Sequence, residues 1–206
     1  HEACGNGHVD VVRLLLARKK IKINQAEKYG TTPLYEACVN EHVDVVQLLL
    51  AKKNIKINQA DQNGITPLSA ASAVGREDIV QLLLAKKEIQ INQAMDSGAT
   101  PLSVACILGH VDLVKVLLAR KEIQINQAAN TGATPLLMAC QQGHVKVVNA
   151  LLTKKEIQIN QGNKDGYTSL NMACQQGRVK VVIALLARKE IQINQAATSG
   201  ATPLSM

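Results

Sequence analysis

Six glycines, Gly30, Gly64, Gly98, Gly132, Gly166 and Gly200, stand 34 residues apart, and a second column holds Gly7, Gly75, Gly109, Gly143 and Gly177, with Glu41 in the remaining place. The five prolines (Pro33, Pro67, Pro101, Pro135, Pro203) share one column, and the five cysteines (Cys4, Cys38, Cys106, Cys140, Cys174) share another. A fixed period of this size marks a stacked array, in which each unit buries its apolar face only against its neighbours. Composition agrees: 47% of residues are hydrophobic, yet there is no Trp or Phe and only 3 Tyr. The core is therefore aliphatic and suits layers one helix deep.

Each unit reads in the same order. In Gly98-Ala99-Thr100-Pro101, the Gly permits a tight turn, Thr100 caps a helix, and Pro101 fits the first helical position, where the N–H would be unpaired anyway. That helix ends near Gly109. A second runs through Val111–Leu118, with Val114, Leu117 and Leu118 on one face, Asp112 in its first turn, and Arg120 and Lys121 after its end, complementing the helix dipole. Glu122-Ile123-Gln124-Ile125-Asn126 alternates apolar and polar residues and predicts an extended arm leading to the next turn.

These motifs resemble the ankyrin repeat family along the whole chain. The family's T-P-L-H-x-A signature appears from Thr32, Thr66, Thr100, Thr134 and Thr168, and its Gly-His turn as Gly7-His8, Gly109-His110 and Gly143-His144, with Arg76 and Arg178 replacing His in two copies. His1 takes the place of the signature's His, so the chain opens within a repeat and reads as a piece of a longer intracellular polypeptide. The resemblance implies an all-α solenoid, an alpha-alpha superhelix of helix-turn-helix units. We expect one continuous array over residues 1–206, with six helix pairs and the start of a seventh. One departure is that these units exceed the family's length of about 33 residues and lack a Gly after the second helix. The extra residue is expected to be absorbed in the helix end or the arm.

The sequence offers no catalytic, cofactor-binding or metal-binding residues. Thiols repeated every 34 residues lie too far apart to gather at one atom. They read as small buried hydrophobes, Ser72 replacing one of them, and reduced thiols fit a cytoplasmic or nuclear protein. The histidines read as hydrogen-bonding the turns. Asn24, Asn58, Asn92, Asn126, Asn160 and Asn194 read as tying each turn to its own backbone. In the family this Asn can be hydroxylated. No apolar run is long enough for membrane insertion.

Function is therefore sought in the columns that vary. At the turn tips these are Lys28, Tyr29, Thr31; Gln62, Asn63, Ile65; Asp96, Ser97, Ala99; Asn130, Thr131, Ala133; and Lys164, Asp165, Tyr167. On the first helix they are Tyr35, Val74, Ile107, Leu108, Gln141 and Gln175. The resemblance implies that both sets line a concave groove holding a partner protein rather than a small-molecule substrate. Tyr supplies a large contact area with a polar handle, which fits that role. Two alternatives remain. The Lys and Arg pairs from Arg18-Lys19 to Arg188-Lys189 form a basic ridge that would attract nucleic acid or an acidic surface, since 23 basic residues outnumber 16 acidic ones, although Glu88, Glu122, Glu156 and Glu190 follow the pairs. Uncapped ends would permit head-to-tail stacking of molecules.

Overall fold

A computed structural model describes all residues, His1–Met206. It contains six antiparallel helix pairs and no strand: α1 (Glu2–Gly5) with α2 (Val9–Leu16), α3 (Pro33–Val39) with α4 (Val43–Leu50), α5 (Pro67–Val74) with α6 (Glu77–Leu84), α7 (Pro101–Leu108) with α8 (Val111–Leu118), α9 (Pro135–Gln142) with α10 (Val145–Leu152), and α11 (Ser169–Gln175) with α12 (Val179–Leu186). A single 3-10 turn follows at Pro203–Ser205. The chain forms two compact units, His1–Asp96 and Ser97–Met206. In the first, α1, α3 and α5 pack in one row and α2, α4 and α6 in another. In the second, α7, α9 and α11 form one row and α8, α10 and α12 the other.

Local signals set the helix boundaries as expected. Thr100 accepts a hydrogen bond from Ser103 N at 3.2 Å, and Pro101 follows it. Position 169 has Ser instead of Pro, and there a capping box forms: Asn171 N donates to Thr168 Oγ1 while Thr168 N donates to Asn171 Oδ1. Gly109 closes α7 in the left-handed conformation. Leu34, Leu68, Leu102, Leu136 and Leu170, each beside an Ala of the column Ala37 to Ala173, are fully buried in the first-helix rows. The small Ala side chains allow close helix approach, and burying each Leu contributes roughly 1.5–3 kcal/mol.

Three features differ from the sequence-based expectations. The arms are not extended. After α8, Arg120 N bonds Leu117 O at 3.1 Å, Ile123 N bonds Arg120 O at 3.3 Å, and Gln127 N bonds Gln124 O at 3.1 Å, so the segment folds as successive turns. Alternation survives only as burial of Ile125, and the extra residue is absorbed in these turns without a left-handed residue. The Asn side chains do not hold their own turns. Asn24 Nδ2 donates to Asn54 O at 2.7 Å and its Oδ1 accepts from Lys56 N at 2.8 Å, so this amide, like those of Asn58, Asn126 and Asn160, clips the next repeat's backbone. Ala99 and Ala133, read as turn-tip residues, are buried, because the residue after each tip glycine turns inward.

Candidate protein-binding surface

The turn tips are joined step by step through backbone. In the first unit Gln62 N donates to Tyr29 O and Asp96 N to Asn63 O, both at 3.0 Å. In the second, Asn130 N donates to Ser97 O at 2.9 Å, Lys164 N to Thr131 O at 3.0 Å, and Thr198 N to Asp165 O at 2.8 Å. Each tip is also closed internally: Asp61 Oδ1 accepts from Asn63 N and Ile65 N, and Asn163 Oδ1 from Asp165 N and Tyr167 N. Within each unit, variable side chains therefore stand on tips linked to one another by backbone hydrogen bonds, which restricts their relative movement.

Lys28, Gln62, Asn63, Asp96, Ser97, Asn130, Thr131, Lys164 and Asp165 are exposed on these tips, while Thr31, Ile65 and Tyr167 are half-buried. Tyr29 is 58% exposed, with Lys28 Nζ 5.6 Å from its ring centroid. Tyr35 is half-buried, and burial raises its phenol pKa, assisted by the Asp61 and Glu36 carboxylates. On the first-helix ends Leu108 is exposed, Val74, Ile107 and Gln141 are half-buried, and Gln175 is exposed.

Sequence reasoning passed over an acidic stretch on the first unit. His1, Glu2, Asn6, Glu27, Glu36 and Asn40 line one groove, which brings a tip-arm residue and the first-helix ends together. Its signal was available in one column, where Glu2 and Glu36 give way to Ala70, Val104, Met138 and Met172.

The other polar columns are engaged in holding repeats together. The ring Nε2 of His42 pairs with Gly5 O and that of His144 with Ile107 O, each at 2.9 Å, and Arg178 Nε donates to Gln141 O at 3.2 Å where Arg replaces His. Arg76 reaches Glu41 and Asp78, and these two carboxylates hold its guanidinium above the usual range while Arg76 lowers the Asp78 pKa. In two of the basic pairs the first member caps the preceding repeat: Lys52 Nζ donates to Leu16 O at 3.1 Å and Arg188 Nη1 to Leu152 O at 2.7 Å. Cys38, Cys106 and Cys140 are free and buried in the first helices, and Ser72 donates to Leu68 O in the equivalent place.

No helix is long and apolar enough to cross a membrane. No curated protein matches the sequence. Among solved structures, the human ASB11 ankyrin repeat domain superimposes with a TM-score of 0.83 at 26% identity, covering 100% of this chain and 89% of that one. The ankyrin repeat domain of Bcl-3, described as a unique member of the IkappaB protein family, gives a TM-score of 0.87 at 22% identity, covering 100% and 91%. The family described as ankyrin repeats (three copies) matches residues 1–61, 54–129 and 124–197. Ankyrin repeat domains are in general protein–protein interaction modules, and this chain belongs to the ankyrin repeat family.

Proposed function

We propose that the chain is a non-catalytic scaffold that captures a partner protein along its turn tips and first-helix ends. The observation that carries this reading is the tip ladder, which displays an aromatic side chain, Tyr29, to solvent on backbone that is hydrogen-bonded at every step. Rigidly held aromatics lose little conformational entropy on contact and anchor interfaces well. Each unit presents its own stretch: Lys28 to Asp96 in the first, Ser97 to Gln175 in the second. Action of the six pairs as one continuous array belongs to the same reading, as does a reducing compartment, which suits the five free thiols. The basic ridge supports nucleic-acid recognition poorly. Lys52 and Arg188 are occupied with carbonyls, and Glu190 pairs with Arg188 at 2.8 Å.

The test is affinity capture from native lysate with two variants as controls. Changing Tyr29, Tyr35 and Tyr167 to Ala, or Ile107 and Leu108 to Glu, is expected to abolish capture while helical content and melting hold. Capture that survives both sets refutes the assignment, and capture that is steeply salt-dependent, nuclease-sensitive and indifferent to the Tyr changes favours the ridge.

A further inference from the structure

The second helices carry an irregularity that the tip surface does not use. In five of them one column reads Arg13, Gln47, Gln81, Lys115 and Asn149, and every copy is exposed. That column faces water whatever packs beside the helix, yet α12 places Ile183 there, 63% exposed. Ile183 thus differs from Leu186, whose column is buried at Leu50, Leu84, Leu118 and Leu152.

A second irregularity falls on the same face. The first-turn column Asp10, Asp44, Asp78, Asp112 becomes Lys146 and Lys180 in α10 and α12. A helix N-terminus carries partial positive charge, so Asp is favoured there and Lys is opposed. Neither lysine has an ion pair or a hydrogen bond, and residues 143–155 and 177–189 contain no Asp or Glu. Since α10 and α12 pack directly, Lys146 and Lys180 stand side by side at roughly the 8–10 Å of neighbouring helices. Lys180 and Ile183, three residues apart, share one side of α12.

Two departures from local physical preference, cations at the wrong helix end and an aliphatic, Ile183, in an otherwise polar exposed column, converge on one patch. Such departures persist where something other than the fold uses them. We propose that the α10–α12 face docks an acidic amphipathic helix of a partner protein, its apolar stripe on Ile183 and its flanking carboxylates on Lys146 and Lys180. The chemistry selects this occupant. A nucleic acid matches the lysines and leaves Ile183 against water. A bilayer needs a broad apolar face, whereas here one aliphatic stands beside two lysines on a helix anchored through buried Val181 and Leu185. A helix laid along a helical face satisfies both sets.

The experiment selects helical peptides from a displayed library on the whole chain, with counter-selection on the variant carrying Lys146→Glu, Lys180→Glu and Ile183→Ser. Enriched peptides should place Asp or Glu beside Leu or Ile at helical spacing. Their affinity should fall about tenfold or more with the paired charge reversal, and again with Ile183→Ser alone. It should be unchanged by Tyr29→Ala and Leu108→Glu, which separates this face from the tip surface. Enrichment of basic or neutral peptides, or peptides that bind the triple variant equally well, overturns the proposal. So does tighter binding of phosphatidylserine vesicles or duplex DNA than of any selected peptide. All the substituted positions of the triple variant are exposed, so an unchanged melt confirms that folding is not the cause of a loss.

Discussion

Gly109 and His144 are fitted to each other across adjacent repeats: a Cβ at Gly109 would lie 2.7 Å from His144 Nδ1, while His144 Nε2 pairs with Ile107 O at 2.9 Å. Gly109 is also left-handed, at φ +77°. Gly109→Ala adds about 1–2 kcal/mol of backbone strain and displaces the ring from a hydrogen bond of about 1 kcal/mol. Urea unfolding followed by circular dichroism should register a loss of about 2–3 kcal/mol. In a His144→Ala background the cost should drop to the strain alone, about 1–2 kcal/mol. An equal cost in both backgrounds would show that the ring does not sense the glycine.

Glu41 holds the same column in the same left-handed region, at φ 64°, without being glycine. Its compensation is the Arg76 contact at 2.9 Å, an exposed pair that solvent screens to a small contribution. Strain of about 1–2 kcal/mol exceeds that, so Glu41→Gly should stabilise by up to about 1 kcal/mol in the same assay. A loss of stability would mean that the Arg76 contact outweighs the backbone term.

The Asn column predicts a contrast. Asn126 Nδ2 donates to Glu156 O at 2.8 Å and its Oδ1 accepts from Gln158 N at 2.9 Å, whereas Asn194 is exposed with no repeat beyond it in this chain. Asn126→Ala should cost about 1–3 kcal/mol and Asn194→Ala almost nothing, read as shifts in urea midpoint. Equal shifts would remove the inter-repeat clip from the account.

Burial pushes the Cys140 thiol up to about 12 from an ordinary 9.0, and raises Cys38 and Cys106 as well. Because the folded pKa lies above the unfolded one, the buried neutral thiol contributes stability that is complete below about pH 9. That contribution shrinks as pH rises toward the folded value. The urea midpoint should therefore decline above about pH 9. At neutral pH an alkylating reagent should modify half-exposed Cys174 first and reach Cys38, Cys106 and Cys140 only on unfolding. Early labelling of Cys106 would contradict the packing.

The repeat, the helices and their caps were legible in sequence because Gly109, Pro101 and Thr100 act through their own backbone positions. The arms were not, because Ile123 and Ile125 alternate as a strand would while the backbone turns over residues 120–123 and again over 124–127. The Asn clips escaped for a different reason: their partners lie 30 and 32 residues away, nearly a full period, and local pattern carries no distance information. At the candidate surface, the variable columns were visible, but inward rotation of Ala99 and Ala133 and the acidic groove around Glu36 became apparent only once neighbouring repeats were in place.

The central claim is that the constant columns build the frame while the tips and first-helix ends do the binding. Site-specific photo-crosslinking in native lysate tests it most directly, with the photoreactive residue placed singly at Tyr29, Leu108 and Tyr167, and on the other side at Gln47 and Lys121. The account predicts that the first three positions yield the same discrete adduct and that the last two do not form it. The same adduct from Gln47 or Lys121, with none from Tyr29, Leu108 or Tyr167, would contradict it.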